Sequence, residues 1–497
     1  MAQWQESAVS VARGPPCPVE PPIRERLQSS ALKFKDKLAV ASLHQPASLY
    51  GISKNGSNEG YLRWTYSELL QAVEILRRSI SNRLAGQKVP IVTVLYSGVE
   101  CIIASWAAYK LGCPFVPLSP KALANTEEFQ YVLQLVGDAV VIAQDRESFE
   151  KLDNLGSSFI LKLTLSQTSP DSSWTSLASI FAADSTEPDD QANSVDASSH
   201  PTADVVTILF TSGTTSKPKG VPHNSTTLNA FSQNLSLGGR SHQDIFCCCL
   251  PNNHAMGYFF TLHFLMNGGA VVYPSPSFDG PSVIKAINAE QATHIGLVPT
   301  MVYTLCEVLA GQKNSSACYT PTTLKDVCLA GAAISPAMVR QVRFELGSQA
   351  VSIGFGMTEG SPIWSEPLVD PERLFEGPHT VAGSVVPGAQ VKLCEPGTRE
   401  PVPLGTPGEI HQMGPGLVGR YLDGQGQEHF YEDGYGHRWF ITGDQAIMHP
   451  DGRFSITGRY KDTIIRGGKN ISPTAIELVL SKHMGITVSS IGVAARV

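Results

Sequence analysis

The chain has no Cys-x-x-Cys pair, no basic block, no internal repeat and no unbroken apolar run of membrane-span length. Each absence closes a class of function. Its ten cysteines, at 17, 101, 113, 247, 248, 249, 306, 318, 328 and 394, have neither zinc-ligand nor disulfide-framework spacing. Three of them adjoin inside the apolar run Ile245 to Leu250, the pattern of reduced core cysteine in an intracellular protein, and no metal site is expected from them. Lys+Arg 37 against Asp+Glu 44 leaves a net charge of −7 spread along the chain, so neither nucleic acid nor an acidic membrane finds an electrostatic footprint. The start, MAQWQESAVSVARGPPCP, has no basic cluster before an apolar stretch. The most apolar helix candidate, Cys101–Leu111, falls short of the ~18 residues of a span and carries Lys110. The end, Ala494-Ala495-Arg496-Val497, is not a peroxisomal tripeptide, and the expected location is cytoplasmic.

What is present is 497 residues with 42% hydrophobic and 16% charged residues, enough for a sizeable core in about three domains or one large composite. The first thirty residues, rich in proline and polar side chains, read as a flexible arm (1–30). Ser67 begins a helix carrying Leu69, Leu70, Val73 and Leu76, and Pro90–Leu95 reads as a buried strand. Cys101–Leu111 (helix), Pro114–Leu118 (strand), Glu127–Leu135 (helix) and Ala139–Ile142 (strand) continue the alternation. The fold class is therefore α/β, with layers of helices on a largely parallel sheet. Leu165 to Asp204 is Ser-, Asp- and Thr-rich and reads as a solvated connection before the strand Val205–Phe210. The core spans 31–386, and 387–458, rich in Gly, Pro and short β-like pieces, forms a β-rich subdomain. After Arg459 only 38 residues remain, below the ~50-residue floor for an independent domain, and 459–497 is expected to be the truncated start of a small α+β C-terminal domain.

Four segments carry chemistry. Thr211-Ser212-Gly213-Thr214-Thr215-Ser216-Lys217-Pro218-Lys219-Gly220 follows a strand with the hydroxyl, glycine and ammonium donors that a phosphate-holding loop needs. It is not a P-loop, having Pro and Gly where that motif has its second glycine and Ser/Thr, and taken alone it is also an ordinary polar turn. Gly354-Phe355-Gly356-Met357-Thr358-Glu359-Gly360 sets an acid beside a hydroxyl, where the carboxylate could hold magnesium on nucleotide phosphates. Ile441-Thr442-Gly443-Asp444 ends on the side chain suited to accept from vicinal ribose hydroxyls. Gly458-Arg459-Tyr460-Lys461-Asp462, then Gly467-Gly468-Lys469-Asn470-Ile471-Ser472-Pro473 and Ile476-Glu477, completes the set.

The order and spacing of these segments resemble the adenylate-forming (AMP-binding) superfamily of acyl-CoA and aryl-CoA synthetases, luciferases and peptide-synthetase adenylation domains. The resemblance covers most of the chain, from Thr65-Tyr66-Ser67-Glu68-Leu69 and Lys110–Leu118 to Glu477. It implies two steps: a carboxylic acid and ATP give acyl-adenylate and pyrophosphate, and a thiol then takes the acyl group. By that resemblance Thr211 to Lys219 grip the β- and γ-phosphates, Thr358 and Glu359 place the α-phosphate and magnesium, and Asp444 with Arg459 holds the ribose. Ile353, Gly354 and Phe355, with Ala330-Gly331-Ala332-Ala333, border the adenine and the acyl tunnel. Lys461 matches the hinge of the mobile C-terminal domain, and Gly467, Gly468 and Lys469 match the border of the CoA channel. In-line phosphoryl chemistry rests on positioning and charge neutralisation of this kind.

Pro251-Asn252-Asn253-His254-Ala255-Met256-Gly257 resembles a segment of acyl- and aryl-CoA synthetases. His254 stands near where amino-acid-activating domains usually place an Asp; burying an ammonium there without a carboxylate would be costly, so a plain carboxylic acid is the expected substrate. His254 is also readable as a hydrogen-bonded core histidine, and the aromatic run Tyr258, Phe259, Phe260 as core rather than pocket. Two departures from the family pattern are present. Ser216 replaces a loop glycine, and no residue corresponds to the family's C-terminal lysine. The leading expectation is an AMP-forming acyl-CoA ligase using ATP, magnesium and CoA. The rivals are an adenylation module loading a carrier protein's phosphopantetheine thiol and a non-catalytic nucleotide-binding relic. Ser216 and the polar insertion attach an expectation of secondary metabolism.

Overall fold

The computed structural model describes residues 9–53, 60–183 apart from 157 and 170, 204–211, 217–236, 241–312, 323–462 apart from 378 and 423, and short pieces at 464–466, 469–471, 473 and 476. One sheet has the spatial order Lys219–Asn224, Val205–Thr211, Phe115–Leu118, Ile91–Val94, Ala139–Ala143, Phe159–Thr164, Thr175–Ser176. Its neighbours are parallel except the first pair, an antiparallel hairpin that opens toward the expected phosphate loop. Parallel strands here are buried on both faces, as the runs Ile91–Val94 and Ala139–Ala143 require, because helices cover them.

A second, longer sheet changes character along its length. Asp326–Leu329 and Ala350–Met357 run parallel beside His294–Leu297 and Ile245–Cys247, and the C-terminal ends of these strands gather on one edge. At Met357 the chain reverses through Thr358 and Glu359 into Gly360–Trp364, and from there His379–Val385, Phe454–Arg459, Arg438–Met448, Gly408–Met413 and Gln390–Cys394 continue antiparallel. The change of strand direction thus falls at the Thr358–Glu359 turn, ahead of the expected boundary at Pro387. Mixed α/β layering agrees with the expected fold class.

Three expectations need correction. Residues 9–30 are not a loose arm: Val11–Arg13 pairs with Gln390–Cys394, and a helix runs over Ile23–Lys33 with Ile23, Leu27, Ser30 and Ala31 buried. The four-residue spacing of Ile23, Leu27 and Ala31 supplies a core-facing stripe that the surrounding prolines and charges hide in composition. Within the polar connection, Trp174, Leu177, Ile180 and Phe181 are buried, the last stacked on Tyr50 at 4.3 Å between centroids. The helix Tyr66–Leu84 starts not at Ser67 but at a Thr65 cap, whose hydroxyl accepts from Glu68 N while the Glu68 carboxylate accepts from Thr65 N, each satisfying a donor the first turn leaves open. Among the described residues no helix is long and apolar enough to cross a membrane, and all described cysteines are free.

Candidate active site

Lys219 begins the strand Lys219–Asn224 directly opposite Thr211, so the hairpin holds the two ends of the phosphate-loop segment together. Ser212, Gly213, Thr214, Thr215 and Ser216 lie outside the described residues. Their flanks are anchored on separate aromatic rings: the Lys217 ammonium lies 4.6 Å from the Tyr131 centroid, and that of Lys219 4.8 Å from Tyr421. Pro218 between them is buried. Gly426, at φ +68°, leaves this approach open; a Cβ there would stand 2.7 Å from Tyr421 Cε2 and 2.9 Å from Lys219 Nζ.

The turn at Thr358 and Glu359 is locked by close packing of its hairpin. A Cβ on Gly354 would come within 2.4 Å of the Trp364 ring, and one on Gly356 within 2.7 Å of Ser361 Oγ. Glu359 is buried; its Oε1 accepts from Tyr421 Oη at 2.5 Å and its carbonyl from Val418 N at 3.0 Å. Val221, Val418, Tyr421, Phe430 and Phe440 form a small apolar cluster, with Met357 packed against it, that fastens both sheets beneath this turn. Phe355 and Gly356 are accessible. Ile353 corrects an expectation: its side chain is core, and its backbone N–H and C=O both pair with Ser365, so it does not border the cleft.

Asp444 faces Arg459 across the pair Arg438–Met448 and Phe454–Arg459, with Oδ1 accepting from Arg459 Nε at 2.7 Å. Its Oδ2 is buried and has no hydrogen-bond partner among the described residues. Burial pushes the Asp444 carboxyl above the ordinary aspartate value; Arg459 opposes this, while Asp462 and Glu359 add to it. An ionised buried oxygen without a donor is costly, on the order of 1–3 kcal/mol, and is the signature of a group awaiting one. Asp444 in turn raises the Arg459 guanidinium.

Two further residues complete this charge set. His429, which the sequence reading did not single out, is held below the usual histidine value by burial first and then by the Lys219 ammonium, with Lys461 acting the same way and Glu428 and Glu359 opposing. Lys461 is exposed on the short turn Tyr460–Asp462. Hence Lys219, Glu359, Asp444, Arg459, Lys461 and His429 share one electrostatic neighbourhood. His254 caps the helix Ala255–Met266 without a side-chain capping bond; it is accessible, yet enough protein surrounds it to lower its imidazolium pKa, leaving it neutral near pH 7. Gly467 and Gly468 lie outside the described residues, and Lys469 is placed by backbone alone, paired with Arg466. Tyr421 and His429 lie in a Gly- and Pro-rich stretch whose strands are short, and the Gly-Arg-Tyr ending at Tyr421 was the one signal for either.

The structure thus gathers a lysine on an antiparallel hairpin, a carboxylate on the turn that follows a parallel strand, and a half-paired buried carboxylate on an antiparallel pair. The chain belongs to the AMP-binding enzyme family, whose model matches residues 27–422. Among curated proteins it is 33% identical over 295 residues to an acyl-CoA ligase, SID4, of Ajellomyces capsulatus, covering 57% of this chain and 48% of that protein. It is 32% identical over 286 residues to the medium-chain acyl-CoA ligase ACSF2, mitochondrial, of Danio rerio, covering 56% and 45%. The chain thus spans about half the length of the curated relatives it matches. The amide bond synthetase McbA of Marinactinospora thermotolerans shares the fold at TM-score 0.74 and 22% identity, covering 93% of this chain and 84% of that one. The o-succinylbenzoate CoA synthetase MenE of Bacillus subtilis, solved with an acyl-adenylate, does so at 0.70 and 21%, covering 94% and 84%.

Proposed function

We propose that this chain joins a carboxylic acid to ATP as an acyl-adenylate and passes the acyl group to the thiol of CoA. The observation that carries the reading is the buried, partnerless Oδ2 of Asp444 beside Arg459, in one neighbourhood with Glu359 and Lys219. Vicinal ribose hydroxyls supply the two donors that a carboxylate so placed lacks. Lys219, and Lys217 with the loop before it, would take the terminal phosphates, and Thr358 would donate to the α-phosphate. The names of the acyl-CoA ligases SID4 and ACSF2 support the acid–thiol class.

Among the described residues no group of three or more His, Cys, Asp or Glu could hold an ion by itself. That fits magnesium, which is commonly bound through one or two carboxylates, substrate phosphates and water. Glu359 would hold it, and it would neutralise phosphate charge. The acid's carboxylate oxygen attacks the α-phosphorus and the bond to the β-phosphate bridging oxygen breaks, releasing pyrophosphate. The CoA sulfur then attacks the acyl carbon, and AMP leaves with the bond electrons. Lys219 and Arg459 steady the charge that moves, and His254, neutral, offers no counter-charge for an ammonium, which suits a plain carboxylic acid.

The test is carboxylate-dependent pyrophosphate release from ATP by the 497-residue chain with pooled aliphatic and aromatic acids, followed by thioester analysis with CoA. Release and an acyl-CoA product are expected. ATP binding without release, or a thioester formed only on a carrier protein's phosphopantetheine, contradicts the proposal.

A further inference from the structure

The Thr358–Glu359 turn is enclosed by polar side chains from three separate elements. His223 lies on the strand Lys219–Asn224 and is 2% exposed; its Nδ1 pairs with Thr227 Oγ1 at 3.3 Å, and its ring lies beside the Thr358 backbone and edge-on to Phe259 at 5.0 Å. Asn234, on the helix Ser225–Ser236, is 3% exposed and donates through Nδ2 to the Ser361 carbonyl at 3.0 Å. Gln412, on the strand Gly408–Met413, is 2% exposed, and its Oε1 stands 3.4 Å from where a Cβ on Gly360 would be. The His223 ring thus reaches the Thr358 backbone itself, while one atom of each of the other two, Asn234 Oδ1 and Gln412 Nε2, is buried without a hydrogen-bond partner among the described residues.

Buried polar groups in folded proteins are almost always paired, so each such atom calls for an explanation. Two of them, on side chains that together with His223 touch one four-residue stretch, 358–361, call for a common one. Donors and an acceptor held dry around a turn stabilise whichever turn geometry engages them, and leave the others underbonded. The strand that delivers Lys219 also delivers His223 four residues on, and the two point to the same face. The phosphate-gripping hairpin and the turn are thereby built against each other.

We propose that His223, Asn234 and Gln412 are positioning residues that hold the Thr358–Glu359 turn, the spare polar atoms of Asn234 and Gln412 being engaged as the turn closes on the α-phosphate. This rests on the adenylation reading for its catalytic consequence, not for the cage itself. The test uses the full chain and the variants Gln412→Met and Asn234→Leu, which keep approximate volume and remove the polar atoms, and His223→Gln, which keeps a donor and an acceptor. Amide hydrogen exchange over residues 353–364 in nucleotide-free protein is expected to quicken about tenfold in the first two and little in the third. In pyrophosphate release, the first two should lose about 10- to 100-fold in kcat with ATP KM changed less than about threefold, and His223→Gln should keep most of kcat. Unchanged exchange in Gln412→Met and Asn234→Leu overturns the cage. Changed exchange with equal losses in kcat and melting temperature across all three variants overturns the positioning role. If the wild-type chain binds no ATP, the adenylation reading fails, and the exchange arm still decides the cage.

Discussion

Glu359 and Asp444 are both buried carboxylates in one charge neighbourhood, yet the protein treats them differently. Glu359 sits on the turn where parallel strands give way to antiparallel ones, and a tyrosine hydroxyl already occupies one of its oxygens. Asp444 sits inside an antiparallel pair, with one oxygen on Arg459 and the other without a partner among the described residues. The turn carboxylate is poised to exchange a partner, whereas the strand carboxylate is poised to gain one. That difference is what the proposed function uses when it gives metal and phosphate handling to the first and ribose recognition to the second.

The sharpest way to break the comparison is Glu359→Gln. Removing the charge should lower kcat for pyrophosphate release by about 100- to 1,000-fold, as loss of a preorganised electrostatic group does, while adenosine binding stays near wild type. Magnesium-dependent turnover and adenosine calorimetry measured side by side check it. Asp444→Ala should do the reverse, weakening adenosine and ATP about 10- to 100-fold, because two donors lose their acceptor and Arg459 its partner. A smaller effect is expected of Tyr421→Phe, which frees the Glu359 oxygen and removes the hydroxyl from the ring beneath Lys219: about tenfold in kcat/KM, read by steady-state kinetics.

The comparison also sharpens with pH. Burial raises the Asp444 carboxyl, so ionised Asp444 opposes the fold, and protonation begins at a higher pH than for an ordinary aspartate. Ribose donors favour the ionised form. Adenosine, which carries no phosphate to titrate, should therefore weaken as pH falls through that raised value and take up less of this dependence in Asp444→Asn. The smallest functional effect belongs to Thr65→Ala, which removes a capping box far from the site: about 1 kcal/mol of stability by chemical denaturation, with adenosine affinity unchanged.

The residues legible in sequence were those whose chemistry is written in adjacent letters. Lys219, Glu359, Asp444 and Arg459, which the structure brings into one charge neighbourhood, stand in short runs of hydroxyls, glycines and charges, and the α/β alternation around them reads from strand and helix periods. Residues whose roles come from packing were not legible. Tyr421 meets Glu359 across 62 residues of chain, and His223, Asn234 and Gln412 converge on one turn from three elements, two of them tied to it by no local pattern. The helix at Ile23–Lys33 was hidden for the opposite reason, its three core residues being outnumbered by charged neighbours. Ile353 shows the limit of motif reading, since the strand's alternation turns that side chain into the core.

The most direct measurement is calorimetric titration of magnesium ATP into the 497-residue chain and into Asp444→Ala. One site per chain, weakened at least tenfold by the substitution with the fold intact, is what a nucleotide cleft built on Asp444, Glu359 and Lys219 predicts. Equal binding to both proteins, or none to the wild type, would contradict it.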